Sequence, residues 1–256
     1  AGNQYDFTYK LGMDVYDASG NQIEYEIIPK GWTSANYEIK YVAGKLTLKP
    51  KDITVKINDL SSIYGETVKN PNDKANWSAA AGAILAGDDL GLDLVIVEKG
   101  TANVVTSFDK GVYDIIANTA GGATGWTNKN YNVTFESAVR PSSDKGEYSI
   151  SAAQLTVTAN PHSIEYGTAN GDIGDSGVTY SGWLGSDESN SSSLIAGFGA
   201  VTFSSPDYDS TVIGKREVGG TFTLVPDVSG LTDPDGNYTF VAGAAAKLTV
   251  EKRNLT

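Results

Sequence analysis

The sequence contains no cysteine, so the chain cannot form a disulfide. Small extracellular domains of animals often depend on disulfides, because these bonds make up for a limited hydrophobic core. A chain of 256 residues is long enough to bury cores without them. The absence excludes a disulfide-stapled scaffold, and it fits the cytosol and a bacterial cell surface equally well.

Histidine occurs once, at His162, so only one residue could act as the base of a Ser-His-Asp or Cys-His mechanism. The sequence also has no G-x-S-x-G, H-E-x-x-H or phosphate-binding glycine loop. Two carboxylate clusters, at 88–93 and 207–209, raise the question of a glycosidase pair. Both fall where turns are expected and neither has an evident aromatic groove beside it. We therefore expect no enzymatic activity.

Positive charge is scarce, since 19 Lys and Arg residues stand against 31 Asp and Glu residues and the net charge is −12. Nucleic acids and acidic membranes require a positive face, so neither is an expected partner. Apolar runs long enough to span a bilayer are also missing, and we expect no membrane insertion of this fragment. Such acidity is typical of a soluble surface on which neighbouring copies repel one another.

The residues that are abundant favour β-structure. The chain contains 14 tyrosines and 29 glycines, and 40% of its residues are hydrophobic. Tyrosine, threonine and valine favour strands, while glycine supplies the turns between them. Short apolar or alternating segments, such as 53–57, 111–116 and 221–225, are typical of buried or half-buried strands. The sequence therefore predicts a folded, predominantly β protein.

An Asn-Tyr pair recurs three times, at Asn36-Tyr37, Asn130-Tyr131 and Asn237-Tyr238. Gly-Trp-Thr precedes the first two copies at the same spacing, and the third keeps only Gly-Leu-Thr. Downstream of the first two copies come an Ile-Thr-Val or Leu-Thr-Val strand and then a Tyr-Gly pair, at Tyr64-Gly65 and Tyr166-Gly167. A constant order of parts at a constant period is the signature of internal repeats.

The period of about 100 residues makes each repeat the size of a domain. We predict the C-terminal part of a module at residues 1–50 and a full module at 51–151. A second full module, with the start of the next, is predicted at 152–256. Both ends then fall inside a longer array, which predicts that the chain is an excised fragment. The Asn-Tyr and Tyr-Gly pairs are predicted to be structural, each Tyr-Gly tyrosine packing its ring while its hydroxyl caps a turn.

Each module is predicted to be a β-sheet with at most one short helix. Residues 77–86, which include an alanine cluster, form the one convincing helical segment in spite of the cost of Gly82. Residues 37–41 alternate Tyr37, Ile39 and Tyr41, which predicts a strand. This pattern favours a β-grasp-like α+β module, and an antiparallel Ig-like β-sandwich is the alternative.

The order N-Y-x-[IV], [IL]-T-V and Y-G resembles the MBG-type repeats of bacterial surface proteins, mostly-β, glycine-rich modules also labelled YGX type. The resemblance covers nearly the whole chain. It implies a non-enzymatic repeat region of an extracellular adhesin, attached to the cell wall through regions outside this sequence. Such a region would form an elongated stalk or present adhesion to host or matrix. The implied partners are neighbouring repeats of the same chain and a host glycan, mucin or matrix protein.

Four tryptophans raise a second functional hypothesis, a glycan- or mucin-binding module that stacks sugars on exposed rings. Trp32 and Trp126 occupy equivalent positions of the repeat, which favours a shared packing role. Trp77 and Trp183 lie outside the shared motif and are the predicted ligand-binding residues. The hypothesis requires that they be exposed beside polar groups.

Asp233, Asp235 and Asn237 alternate around Gly236 in a pattern that matches part of a calcium loop. The bidentate glutamate that completes an EF-hand is missing, and Asp-Gly-Asn is a common turn by itself. These three residues are the predicted metal site, with a simple turn as the alternative. Calcium is the one cofactor that the sequence suggests.

Overall fold

The computed structural model describes residues 13–140 and 142–254, and almost all of its regular structure is β. These residues form sixteen strands, which confirms the predicted fold class. The strands are β1 (Glu24–Ile27), β2 (Gly44–Thr47), β3 (Lys51–Ile57), β4 (Leu60–Ile63), β5 (Trp77–Ala79), β6 (Leu94–Glu98), β7 (Gly111–Ala117), β8 (Tyr131–Ser137), β9 (Gly146–Ser151), β10 (Ala153–Ala159), β11 (His162–Glu165), β12 (Val178–Ser181), β13 (Thr202–Ser204), β14 (Thr221–Asp227), β15 (Tyr238–Ala242) and β16 (Ala246–Glu251).

Helical structure in the described part of the chain is limited to short turns. One α-helix, α1 (Ser191–Leu194), has four residues, and 3-10 turns lie at Ala120–Gly122, Asn170–Asp172 and Asp187–Asn190. Within residues 13–140 and 142–254, no helix has the length and apolar character needed to cross a membrane.

The two full repeats share one strand order. In the middle repeat, a three-stranded sheet has the order β5-β3-β8 and a four-stranded sheet has the order β4-β9-β7-β6. In the last repeat, the corresponding orders are β12-β10-β15 and β11-β16-β14-β13. Each strand of the middle repeat therefore has a counterpart seven strands later. The recurring sequence motifs thus correspond to a recurring topology.

The three-stranded sheets contain both parallel and antiparallel pairs. β3 pairs antiparallel with β5 and parallel with β8, with Lys51 opposite Tyr131. β10 likewise pairs antiparallel with β12 and parallel with β15. Parallel neighbours need a long connection, commonly a helix, and here the intervening strands provide it. This mixed order differs from the wholly antiparallel order of the Ig-like alternative.

The helix predicted at residues 77–86 is wrong. Its first three residues form β5, which pairs with β3 and buries Trp77. The residues that follow form turns, in which the Ala83 N–H donates to the Ala80 carbonyl. Gly82 has a φ of +72°, a left-handed conformation that interrupts any right-handed helix. Strand pairing and this glycine outweigh the helix propensity of the alanines.

The strand predicted at residues 37–41 is also wrong. The repeat places this segment at the position of β8 and β15, and each of those strands pairs with a single neighbour, β3 or β10. Among the described residues, the segment has no strand at the position of β3 or β10 beside it. Residues 13–50 instead contain an antiparallel pair, β1 and β2, with Glu24 opposite Thr47.

The chain packs as two compact units whose bounds differ from those of the repeats. The first unit comprises Ala1–Leu60, Asn70–Val104 and Asp114–Glu147, and the second comprises Ser61–Lys69, Val105–Tyr113 and Tyr148–Thr256. Segments 61–69, 105–113 and 148–151 of the middle repeat therefore belong to the second unit. The predicted module bounds at residues 50 and 151 stay a prediction about the sequence repeat.

Each unit has its own hydrophobic core, built from alternate residues of its strands. In β3, Ile53, Val55 and Ile57 are buried while the residues between them are exposed. The first unit has a core cluster of Ile53, Val55, Trp77, Leu90, Tyr131 and Val133. The second has one cluster around Leu155, Val157 and Tyr238 and another around Leu224, Leu248 and Val250. The Asn-Tyr tyrosines Tyr131 and Tyr238 thus sit in the cores.

Candidate functional site

Asn237 connects three segments of the second unit. Its side chain is 6% exposed, and its Oδ1 accepts the N–H of Lys110 at 2.6 Å. Its Nδ2 donates to Asp109 Oδ1 at 2.9 Å, and its backbone carbonyl accepts the N–H of Ala153 at 2.8 Å. Asp109 and Lys110 come from the middle repeat, whereas Ala153 begins β10 of the last repeat. One asparagine therefore links an internal segment of the middle repeat to the first strand of the last repeat.

Tyr238, the next residue, buries its ring and directs its hydroxyl to a carboxylate. The hydroxyl donates to Asp187 Oδ2 at 2.7 Å and accepts the Leu184 N–H at 3.1 Å. Tyr64 of the middle repeat donates to the same Asp187 oxygen at 3.1 Å. The Tyr64 and Tyr238 rings meet edge to face, with centroids 5.4 Å apart. Two tyrosines from successive repeats thus share one carboxylate acceptor.

Burial and the shared carboxylate both act on the ionisation of these tyrosines. Burial first, and then the hydrogen bond to Asp187, raise the pKa of Tyr64 to about 12. The same two causes, in the same order, raise the pKa of Tyr238 further. Both hydroxyls therefore stay protonated, and able to donate, throughout the physiological pH range.

Gly65 allows the Tyr64 segment to approach the last repeat closely. Its φ is +77°, and a Cβ at this position would lie 2.7 Å from Leu184 Cδ1. A larger residue would therefore meet both backbone strain and a steric clash. The predicted role of Tyr-Gly, with the tyrosine hydroxyl capping a turn, is wrong for Tyr64, because that hydroxyl bonds a distant carboxylate instead.

The first unit repeats this arrangement around Asn130. Its Oδ1 accepts the N–H of Val15 at 2.7 Å, and its Nδ2 donates to Asp14 Oδ1 at 2.8 Å. Its carbonyl accepts the N–H of Lys51, which begins β3. These contacts match those of Asn237 atom for atom.

Tyr131 likewise matches Tyr238. Its hydroxyl donates to Asp88 Oδ2 at 2.5 Å and accepts the Leu85 N–H at 3.0 Å. Burial, followed by the Asp88 hydrogen bond, raises the pKa of Tyr131. We call the two sets of contacts Asn-Tyr joints. The first joint comprises Asn130, Tyr131, Asp14, Val15, Leu85 and Asp88, and the second comprises Asn237, Tyr238, Asp109, Lys110, Leu184 and Asp187.

The remaining copy of the pair, Asn36-Tyr37, makes no such joint. Ser34 Oγ accepts both backbone N–H groups at 3.2 Å. Among the described residues, neither side chain of this copy has a hydrogen-bond partner. The motif therefore needs its partner segments, and the pair alone does not create the joint.

Sequence reasoning identified the Asn-Tyr pairs as structural but missed their partners. A Leu-x-x-Asp segment precedes each of the two joined pairs, at Leu85–Asp88 and Leu184–Asp187. This shared spacing is the signal that could have found the tyrosine acceptors. Asp14 and Asp109 carry a weaker signal, since each lies just before a Val-Tyr-Asp triplet, at Val15–Asp17 and Val112–Asp114, but at different spacings.

The two predicted ligand-binding tryptophans pack within the protein. Trp77 is 9% exposed, belongs to the first unit's core, and donates its indole N–H to the Asn72 carbonyl at 3.2 Å. Trp183 is half-buried, and its ring meets Tyr238 edge to face with centroids 5.5 Å apart. Neither ring stands free on a polar surface.

The equivalent tryptophans Trp32 and Trp126 do not share one environment. Trp126 is half-buried, donates its indole N–H to the Tyr131 carbonyl at 3.0 Å and packs on Phe135. Trp32 is 60% exposed. The predicted packing role is confirmed for Trp126 and is wrong for Trp32, which precedes residues 37–41, the segment that forms no β8-like strand.

The predicted calcium residues form a turn next to the second joint. Asp233 Oδ1 accepts the Asp235 N–H at 3.0 Å, and its Oδ2 accepts the Tyr238 N–H at 2.8 Å. Asn237 is engaged with Lys110 and Asp109, as described above. Within residues 13–140 and 142–254, no cluster of three or more His, Asp or Glu side chains is placed to hold a metal ion. The turn accounts for the contacts of Asp233, and the second joint accounts for the side-chain contacts of Asn237.

A buried carboxylate in the first unit is paired with lysines. Asp114 is 5% exposed, and its Oδ1 lies 2.8 Å from Lys99 Nζ. Its Oδ2 accepts the Gly100 N–H at 2.9 Å and lies 3.5 Å from Lys145 Nζ. Burial raises the pKa of Asp114, but the Lys99 and Gly100 hydrogen bonds together outweigh burial and hold the pKa below its usual value. The group therefore acts as a structural anion.

We compared the chain with models of protein families, with curated proteins and with solved structures, and none of the three comparisons found a match.

Proposed function

We propose that this chain is a non-enzymatic repeat region of a bacterial cell-surface adhesin, located outside the cell, where it forms an elongated stalk. The observation that carries the proposal is the Asn-Tyr joint, which occurs twice with the same atoms in the same roles. Each joint uses conspicuous polar residues to hold segments of successive repeats together. Contacts that hold successive repeats together are suited to a protein whose function is to span a distance.

The chemistry of the joints suits a stalk, because it holds successive repeats in one geometry. Each joint satisfies both polar ends of a partly or fully buried asparagine and the hydroxyl of a buried tyrosine. Buried hydrogen bonds of this kind fix a single geometry, because breaking one leaves a polar group unsatisfied. Repeats joined in this way resist rotation about their connection better than repeats joined by a linker alone.

The second candidate, a glycan- or mucin-binding module, is not supported at Trp77 and Trp183, the two residues predicted to bind the ligand. Sugar stacking needs a free aromatic face, whereas Trp77 is buried and Trp183 packs against Tyr238. We therefore propose the stalk rather than a ligand-binding module, with host glycan, mucin or matrix protein bound by other parts of the adhesin.

Two measurements test the proposal. A compact protein of 256 residues has a radius of gyration of about 18 Å, so X-ray scattering of a stalk should give a clearly larger value. Antibodies against the chain should label intact cells of the source bacterium. Labelling confined to lysed cells would contradict the surface location, and a radius near 18 Å would contradict the stalk.

A further inference from the structure

The last repeat, which lies within the second unit, begins and ends with segments that run side by side in the same direction. β10 pairs in parallel with β15 over five residues, beginning with Ala153 opposite Tyr238. β11 pairs in parallel with β16 over four residues. β11 follows β10 in the chain, and β16 follows β15. We call these two segments, 153–165 and 238–251, the parallel ribbon.

The two ladders of the ribbon share a nearly continuous register. Ala153 and its partner Tyr238 are 85 positions apart (238 − 153). His162 and its partner Leu248 are 86 positions apart (248 − 162). The register therefore changes by only one position where the segments pass from the first ladder to the second.

The two segments also stay close beyond the end of β15. The Gly243 N–H donates to the Val157 carbonyl at 2.8 Å, which extends the first ladder past its last strand residue. A Cβ on Gly243 would clash with the Thr158 side chain, so glycine permits this close approach. Thus the ribbon joins the start of the repeat to its end along almost the whole length of both segments.

Buried side chains shield the hydrogen bonds of the ribbon from water. Leu155 and Val157 of β10 are 0% exposed, as is Leu248 of β16, and Val250 is 1% exposed. A backbone hydrogen bond in such surroundings is costly to break, because the freed N–H and C=O groups have no water at hand to replace their partners.

The points at which the backbone enters and leaves the repeat determine how tension acts on the ribbon. The backbone enters at Ala153, the start of one segment, and leaves after Glu251, the end of the other. In a parallel pair, the start of one strand and the end of its partner lie at opposite ends of the ladder. Tension therefore pulls the segments past each other and acts on all their hydrogen bonds together. In an antiparallel pair the same two points would lie at one end, and the bonds would open one after another.

We propose that the parallel ribbon is a mechanical clamp, which resists extension of the last repeat when the chain is under tension. Sliding must break the five pairs of β10 with β15 and the four pairs of β11 with β16 nearly at once. The clamp adds resistance to force to the stalk's function of spanning a distance. Its use in a tether rests on the proposed stalk, whereas the clamp itself follows from the strand pairing and is measurable on the purified chain.

Pulling on the repeat through two different pairs of attachment points tests the clamp. Because the chain lacks cysteine, two engineered cysteines define where DNA handles are attached in an optical trap. The shear variant, with Gln154→Cys and Glu251→Cys, carries its handles at opposite ends of the ribbon. The peeling variant, with Glu165→Cys and Glu251→Cys, carries them at one end, on residues that pair with each other. All three positions are exposed, and urea unfolding should show equal stability for the two variants.

The two variants should unfold at different forces when they are pulled at the same loading rate. We expect a force at least about twofold higher for the shear variant, because forced unfolding is governed by the barrier to unfolding and the peeling variant crosses that barrier one pair at a time. The extension identifies the event. The handles span 97 positions in the shear variant (251 − 154) and 86 in the peeling variant (251 − 165), so full unfolding should give contour lengths of about 350 and 310 Å.

Equal unfolding forces for the two variants, or a higher force for the peeling variant, would overturn the clamp. These outcomes would leave the stalk untouched, since its tests are the radius of gyration and the labelling of intact cells. A radius near that of a compact protein would in turn contradict the stalk and not the clamp, so the two proposals fail separately.

Discussion

Replacing Asn237 with alanine removes both side-chain hydrogen bonds of the second joint. The bond to the Lys110 N–H joins neutral groups and contributes about 1 kcal/mol, whereas the bond to the Asp109 carboxylate belongs to the class that contributes about 1.5–3 kcal/mol. Asp109 is exposed, so water can replace the lost amide as its hydrogen-bond partner. This favours a contribution near the lower end of the range for bonds to charged groups. We expect Asn237→Ala to lower the free energy of unfolding by about 2 kcal/mol.

The chain contains its own matched control for this experiment. Asn36 occupies the same position of the motif, but its side chain has no hydrogen-bond partner among the described residues. Asn36→Ala should change stability by less than about 0.5 kcal/mol, as surface substitutions do. Urea unfolding followed by tryptophan fluorescence reports the result, since Trp183 packs on Tyr238 next to Asn237. Equal effects of the two substitutions would refute the structural role of the joint.

Three further predictions concern other contacts, each measured by urea unfolding. Tyr64→Phe removes the hydrogen bond to Asp187 and should lower the free energy of unfolding by about 1 kcal/mol. Tyr166→Phe should change it very little, since no described residue forms a hydrogen bond with the Tyr166 hydroxyl. Because the pKa of Tyr64 is raised to about 12, its contribution is present below pH 10 and lost as pH rises through 12. Asp114→Asn should lower the free energy of unfolding by about 2 kcal/mol at pH 7. The effect should be small in strong acid, because the pKa of Asp114 is lowered in the folded protein, and the stability that this gives disappears as the pH falls through that folded-state pKa. Gly125→Ala would place a Cβ 2.6 Å from the Ala117 Cβ, and it should lower the free energy of unfolding by about 3 kcal/mol. Gly121→Ala, whose Cβ would meet open space, should lower it by about 1 kcal/mol.

Sequence periodicity predicted the strands wherever local pattern and tertiary pairing agree. β3 alternates buried and exposed residues as its sequence suggests, and β7 and β14 fall where apolar segments predicted them. The two wrong predictions concern segments whose secondary structure depends on strand pairing rather than on the local sequence. Residues 77–86 favour a helix locally, but β5 finds a partner in β3. Residues 37–41 have the alternation of a strand, but among the described residues no strand stands beside them.

The candidate site was harder to predict because its partners are distant in sequence. Asn130 and Asp14 lie more than 100 positions apart, as do Asn237 and Asp109. A short-range pattern cannot reveal such a pair, so the motif was identifiable as structural while its partners were not. The same limit applies to the parallel pairing of β3 with β8, since hydrophobic alternation specifies the faces of a strand and not its neighbours.

The parallel pairing of β3 with β8 also sets an order of folding. Lys51 and Tyr131 lie 80 positions apart (131 − 51), so a chain that emerges N-terminus first cannot complete this sheet until most of the repeat is available. Non-local pairings of this kind form late and slowly. Tyr131 begins β8 directly after Asn130, so the strand that completes the β5-β3-β8 sheet carries the asparagine that binds Asp14 of the repeat before it. Coupling should therefore proceed from the N-terminus towards the C-terminus, one repeat at a time, as the chain emerges.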